Sequence, residues 1–192
     1  MIAENQVKKL ITDSVKSGSE YLVVNGALQS VSPPTSLFGY TYWSHMIPPI
    51  KPNDMLMLGY GWGTVASLTK GIYGEDIRVT GVDLANLNNP ECLQMNAYDY
   101  IDKHNPEPTW DYICIDLWDG PKSLSYTVND KEFIEKIAAI CKGFVCLNIL
   151  LPESKEDHQE HIRMYENAGF IYDRNVVLYG NLVEWFSVGA NT

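Results

Sequence analysis

The stretch Met55-Leu-Met-Leu-Gly-Tyr-Gly-Trp-Gly-Thr64, followed by Val79-Thr-Gly-Val-Asp83, constrains this chain more than any other feature. The order is strand, glycine loop, helix, second strand, acid, which is that of a nucleotide-binding βαβ unit. Gly59, Gly61 and Gly63 allow a tight turn and a close approach of backbone to ligand, and the next helix opens there with free N–H groups. Asp83 ends the second strand twenty positions past Gly63, where a carboxylate accepts hydrogen bonds from ribose hydroxyls. A solvated strand-end acid is the competing reading.

The residue order also separates ligand classes. A dinucleotide fingerprint wants a third small residue one place later than Gly63, and Thr64 supplies it only loosely. Gly-x-Gly-x-Gly fits an S-adenosylmethionine loop better, which leaves an NAD-dependent reductase as the lesser alternative.

At 192 residues and 45% hydrophobic content, without repeats or low-complexity runs, the chain suits one globular unit with a substantial core. Its apolar runs fall short of the ~20 residues of a membrane span, and Met1-Ile-Ala-Glu-Asn-Gln6 lacks the apolar region of a signal peptide, so a cytoplasmic protein without membrane contact is expected. Cys92, Cys114, Cys141 and Cys146 show no Cys-x-x-Cys spacing and mostly lie in apolar runs, which suits reduced, buried thiols. The formal charge of −10 opposes binding to phosphate backbones and favours attraction of cations, so no nucleic-acid partner is expected.

Ala3, Val7, Leu10, Ile11 and Val15 recur at helical spacing, predicting a helix that ends at Ser17-Gly18. Tyr21–Val24 and Ala27–Val31 flank Asn25-Gly26, a hairpin signal, and a short helix is placed within 38–46. Residues 1–52 thus form a reduced N-terminal segment of helix and hairpin, and 53–192 a Rossmann-like domain. Strands are predicted at 55–59, 77–83, 92–95, 111–117 and 143–150, with helices near 63–72, 97–104, 129–142 and 154–168. Ile171–Leu178, Gly180-Asn181 and Leu182–Val188 read as a closing antiparallel hairpin. The predicted fold is α/β, a class I methyltransferase sheet, mostly parallel with a terminal antiparallel hairpin.

Several segments then combine into a resemblance. Val24-Asn25-Gly26-Ala27-Leu28-Gln29, Phe38 to Pro48 with Tyr40 and Pro48 in register, the Gly59–Gly63 loop, and Trp110 to Pro121 with Asp116 and Asp119 resemble the successive motifs of spermidine synthases over roughly residues 21 to 150. The resemblance implies that Gln29, whose competing reading is a bond across its own hairpin, contacts the nucleoside, that Asp83 holds the ribose, and that Asn96 stands where the family has an adenine-binding Asp. It also implies that Asp116 deprotonates an amine attacking the carbon beside a sulfonium, while Asp119 holds the cationic acceptor. A strand-end carboxylate bordering the crevice of an open α/β sheet suits that task.

The departures are specific. Trp62 replaces the loop acid that grips the aminopropyl amine, Tyr42 replaces the acceptor-site Glu, and Met46 stands where the family has His, with His45 adjacent. Methyltransferases often carry an acid two residues before the first glycine, and Met57 stands there. The leading reading is therefore a spermidine synthase-like transferase taking S-adenosylmethionine or its decarboxylated form, with methyl transfer to a small cationic amine ahead of aminopropyl transfer, and with homodimerisation possible. The alternative is a catalytically inactive adenosyl-nucleoside-binding protein of the same fold.

Three further readings concern side-chain clusters. Asp116 could instead cap a helix or sit in a turn with Asp119-Gly120-Pro121. His158 and His161, among Glu153, Glu156, Asp157 and Glu160, fit a solvated acidic helix face better than a metal pair, so no metal is expected. Trp43, Trp62 and Trp118 with Tyr40, Tyr42 and Tyr60 are either core packing or an aromatic wall around a cation.

Overall fold

A seven-stranded sheet with order β10-β11-β9-β6-β3-β4-β5 organises the computed structural model. The structure describes residues 20–24, 27–32, 42–85, 88–103, 109–119, 122–123, 129–178 and 180–189, with 20–32, 119 and 122–123 as backbone. The strands are β3 (Asp54–Leu58), β4 (Arg78–Asp83), β5 (Cys92–Gln94), β6 (Trp110–Ile115), β9 (Cys141–Leu150), β10 (Phe170–Leu178) and β11 (Asn181–Val188). The pairs among β3, β4, β5, β6 and β9 are parallel, whereas β11 runs antiparallel to both β9 and β10. This is the expected arrangement. Outside the sheet, β1 (Glu20–Val24) pairs with β2 (Ala27–Ser32), and β7 (Trp118–Asp119) with β8 (Lys122–Ser123).

Strand sequence explains the layering. The strands at the centre of the sheet are apolar on both faces, as parallel strands covered on both sides must be. Leu56 and Leu58 of β3, Ile113 and Ile115 of β6, and Val145, Leu147 and Ile149 of β9 belong to one core cluster. Met55, Met57, Tyr112, Cys114 and Cys146 belong to the other. The first cluster is covered by helices α2 (Ala97–Lys103), α3 (Lys131–Ile140) and α4 (Lys155–Asn167). The second is covered by α1 (Thr64–Tyr73) and a 3₁₀ helix, Tyr42–Met46. Asp130 and Ser154 start α3 and α4 by accepting backbone N–H bonds from Phe133 (3.1 Å) and Asp157 (3.0 Å).

Boundaries moved where tertiary pairing outweighed local pattern. The helix expected over 129–142 is α3 over Lys131–Ile140, and β9 begins directly at Cys141 because that residue already pairs with Trp110. The helix expected before Ser17 lies outside the described residues, as does Tyr40; of the short helix expected within 38–46, the 3₁₀ turn Tyr42–Met46 is described. Cys114, Cys141 and Cys146 are buried and Cys92 is half-buried, all as free thiols. No helix among the described residues is long and apolar enough to cross a membrane.

The expected solvated face of the fourth helix is corrected. His158 and His161 each bring Nε2 to 2.7 Å from a different oxygen of Glu184, a β11 residue with no exposed surface. His161 and Tyr165 form the inward face of α4, packed edge-on to one another. A carboxylate set into the apolar strand Leu182–Phe186 needs partners from the covering helix, and this requirement turns the histidines inward. We expect His161→Leu to cost about 3–5 kcal/mol in urea unfolding, because among the described residues Glu184 then keeps His158 as its one ionic partner. Adding Glu184→Leu should recover most of that loss; losses that simply add would contradict the coupling.

Candidate functional site

Strand order reverses at β3, since β4 and β5 lie on one side of it and β6, β9, β11 and β10 on the other. Such a switch point opens a crevice at the carboxyl ends of the strands. In spatial order those ends carry Asn148 on β9, Asp116 after β6, Gly59 after β3, Asp83 on β4 and Asn96 after β5. Neighbouring strands lie about 4.8 Å apart, so the five positions form one row.

The glycine loop crosses that row under tight restraint. Gly59, Gly61 and Gly63 have φ of 84°, 53° and 74°, the left-handed region that side chains resist. A Cβ on Gly59 would lie 2.1 Å from the Asp116 carbonyl oxygen, and one on Gly63 would lie 2.6 Å from the Tyr60 hydroxyl. Their N–H groups, expected to be free for a ligand, are instead used within the protein: Gly59 donates to Val82 O, Gly63 to Tyr60 O and Gly61 to Asp83 Oδ2, each at 2.9 Å. Among the described residues no side chain caps α1 at Gly63, so the start of that helix still presents its dipole to the crevice.

Tyr60 is buried beneath the loop, its ring filling the space beside Gly81, and its hydroxyl donates to Glu91 at 3.1 Å. Trp62 is half-buried at the loop's turn. Asp83 is more than a solvated acid: one oxygen accepts from Gly61 N–H and the other from Ala85 N–H, both at 2.9 Å. Each oxygen keeps a lone pair for a further donor. Asn96 caps α2, its Oδ1 accepting the Tyr98 N–H at 2.8 Å, which leaves the amide NH₂ as the group it can offer a ligand. Gln29 lies in β2, which packs beside α1; its side chain, like that of Asp119 in β7, lies outside the described residues.

Asp116 stands between Asn148 and Gly59 in the row. Its carboxylate accepts from Tyr42 Oη at 3.1 Å, Trp118 Nε1 at 2.6 Å and Asn148 Nδ2 at 2.8 Å. Among the described residues it caps no helix and lies outside the β7–β8 ribbon; Gly120 and Pro121 of the turn reading lie outside the described residues. Burial pushes its pKa up to about 6; the three donors oppose the shift and the charge of Asp83 adds to it. Tyr42 is raised well above the usual phenol range, by burial first and then by Asp116.

Of the named aromatic residues, Trp43, Tyr42 and Tyr60 are core, while Trp118 serves Asp116 through its N–H rather than its face. Sequence reasoning missed Asn148 and the Tyr42 hydrogen bond. Asn148 was detectable as one polar residue in the apolar run Val145–Leu150.

Comparison with solved structures identifies the fold. The chain is similar to spermidine synthase from Thermotoga maritima, with 14% identity and TM-score 0.60 over 88% of this chain and 65% of that one. It is similar to a putative methyltransferase from Haloferax volcanii, solved with its methyltransferase activator, with 12% identity and TM-score 0.56 over 80% and 90% of the two chains. It is also similar to the antibiotic-resistance methyltransferase Kmr, with 13% identity and TM-score 0.55 over 71% and 87%. The fold is that of class I methyltransferases. No family model and no curated protein sequence matches the chain.

The raised pKa of Asp116 has a signed consequence for stability. With a folded value of about 6 against an ordinary 3.8, its contribution is fully present below pH 3.8 and is lost as pH rises through 6. Asp116→Asn should therefore gain about 1–3 kcal/mol on the native chain between pH 4 and pH 7 in parallel urea titrations. A stability difference that is flat with pH would contradict the shift.

Proposed function

We propose that this protein is an S-adenosylmethionine-dependent transferase, spermidine synthase-like in its site, that moves a methyl or aminopropyl group from an adenosyl sulfonium to a small amine. The observation that carries the reading is Asp116, whose carboxylate has a pKa near 6 and is held by three side chains and whose backbone carbonyl abuts the glycine loop at the switch point of a methyltransferase fold. Either S-adenosylmethionine or its decarboxylated form suits the crevice. Asp83 would accept ribose hydroxyls, Asn96 and Gln29 would face the nucleoside, and Trp62 would lie beside the sulfonium or the ligand's tail. Asp119 would attract the cationic acceptor.

In the reaction, the amine nitrogen uses its lone pair to form a bond to the carbon beside sulfur. The carbon–sulfur bond breaks, its electrons stay on sulfur, and the cation becomes a neutral thioether. The proton released by nitrogen passes to Asp116. Positioning supplies most of the rate, because the sulfonium already activates its carbon. A base with a pKa near 6 is ionised at neutral pH yet basic enough to take the proton.

A binding-only protein is the second reading, favoured by Met57 and Trp62 at the two places where acids usually anchor the donor's amine. Mass-spectrometric screening of diamines, polyamines and small primary amines against both donors separates the two.

Asp116→Asn is expected to bind S-adenosylhomocysteine like the native chain and to lose transfer by roughly 10²–10⁴-fold. In the native protein kcat/KM should fall as pH drops through about 6, because the base is then protonated. Tight nucleoside binding without turnover of any amine would replace the transferase by the binding protein.

Asp83→Ala should weaken S-adenosylhomocysteine by about 1–3 kcal/mol in calorimetric titration, through lost ribose bonds and a loosened Gly61. Unchanged affinity would remove Asp83 from the ribose site.

A further inference from the structure

Asn148 does more at this site than its place in an apolar strand requires. It is 1% exposed, pairs with Val183 of β11, and stands one residue beyond the Ile115–Leu147 pair that joins β6 to β9. Its Nδ2 donates to Asp116 Oδ1 at 2.8 Å, and because a carboxylate only accepts, the amide orientation is fixed. The other end of the amide, Oδ1, is buried and accepts from no group among the described residues. The two polar atoms of a primary amide lie about 2.3 Å apart, which puts Asn148 Oδ1 within about 5 Å of Asp116 Oδ1. Asp116 Oδ1 already accepts from Trp118 Nε1 as well as Asn148, so a ligand nitrogen takes the remaining lone pair on Oδ2. Hydrogen bonds of about 2.8 Å let one nitrogen bridge acceptors up to about 5.6 Å apart.

We propose that Asn148 selects acceptors whose nitrogen carries at least two hydrogens, anchoring Asp116 through Nδ2 and presenting Oδ1 as the second acceptor for the same nitrogen. This rests on the transferase reading and names the acceptor class within it. A primary or secondary ammonium satisfies both oxygens. A tertiary ammonium has a single N–H, which the carboxylate takes, and leaves a buried carbonyl without a donor, a penalty that binding sites use to discriminate. The side chain must be neutral for this role. A second carboxylate beside Asp116 would raise its pKa further and hold a shared proton. Asn148 is thus a positioning and specificity residue, and Asp116 remains the group that takes the proton.

The test titrates n-butylammonium, N-methylbutylammonium and N,N-dimethylbutylammonium into the full chain saturated with S-adenosylhomocysteine. The first two should bind about tenfold or more tightly than the third, although all carry one charge. Asn148→Ala should erase the preference. It should also raise the Asp116 midpoint by about one unit in a carbon-13 carboxyl titration, because the lost N–H bond favoured the ionised form. A merely structural asparagine would shift that midpoint too but would leave the ranking of the amines unchanged. Equal affinities in the native chain, or a preference that survives Asn148→Ala, would overturn the proposal, and the native ranking decides the matter even if the variant does not fold. If S-adenosylhomocysteine itself fails to bind, the transferase reading falls and the proposal with it; if it binds and the amines are unranked, the proposal alone falls.

Discussion

Asp116 holds a half-buried carboxylate with three donors, two of them from distant parts of the chain, and the surrounding architecture is arranged to make that possible. Tyr42 comes from the 3₁₀ helix, Trp118 from the short ribbon after β6, and Asn148 from the end of β9. The helix is itself fixed from below: the Tyr112 hydroxyl donates to Met46 O, and Trp185 Nε1 donates to His45 O at 2.9 Å. Tyr112 and Trp185 stack with centroids 5.6 Å apart, so one aromatic pair between the sheet and the 3₁₀ helix holds that helix in place. Three donors do not fully repay the burial of a charge, and the remainder appears as a pKa near 6. A group that costs stability at neutral pH is retained more readily for chemistry than for folding.

The glycine loop is coupled to the same carboxylate through its backbone. Gly59 passes so close to the Asp116 carbonyl that no side chain fits, and Asp116 N donates to Leu58 O at 2.8 Å. The loop is also tied to Asp83 through Gly61, so both strand-end acids are tied to one piece of chain. Displacement at Gly59 would be felt at Asp116, and displacement at Gly61 at Asp83. This rigidity fits a reaction in which orientation supplies most of the rate.

What the sequence disclosed was whatever depended on near neighbours. The strand–loop–helix–strand unit, the acids at the strand ends and the closing hairpin are written in spacings of a few residues, and they reappear in the sheet with small boundary shifts. The hidden features are pairings across the chain. Tyr42 reaches Asp116 over 74 positions and Asn148 reaches it over 32, and no local period encodes either contact. The histidines of α4 were misjudged for the same reason, since their acidic neighbours along the helix were visible and Glu184 on another strand was not. The loop N–H groups were misjudged because the acid expected for the ribose also braces the loop. One signal was available throughout: Asn148 and Glu184 are polar residues inside apolar strands, and each had to have partners.

The central claim is that the reacting sulfonium lies against Asp116, and the titration of that carboxylate reads it directly. Carbon-13 carboxyl spectra of the protein bound to S-adenosylmethionine, which carries the positive sulfur, should be compared with spectra of the complex with neutral S-adenosylhomocysteine. A cation within a few ångströms stabilises the ionised form, so the account predicts an Asp116 midpoint about one unit or more lower with S-adenosylmethionine. Identical midpoints in the two complexes would place the sulfur elsewhere and contradict the account.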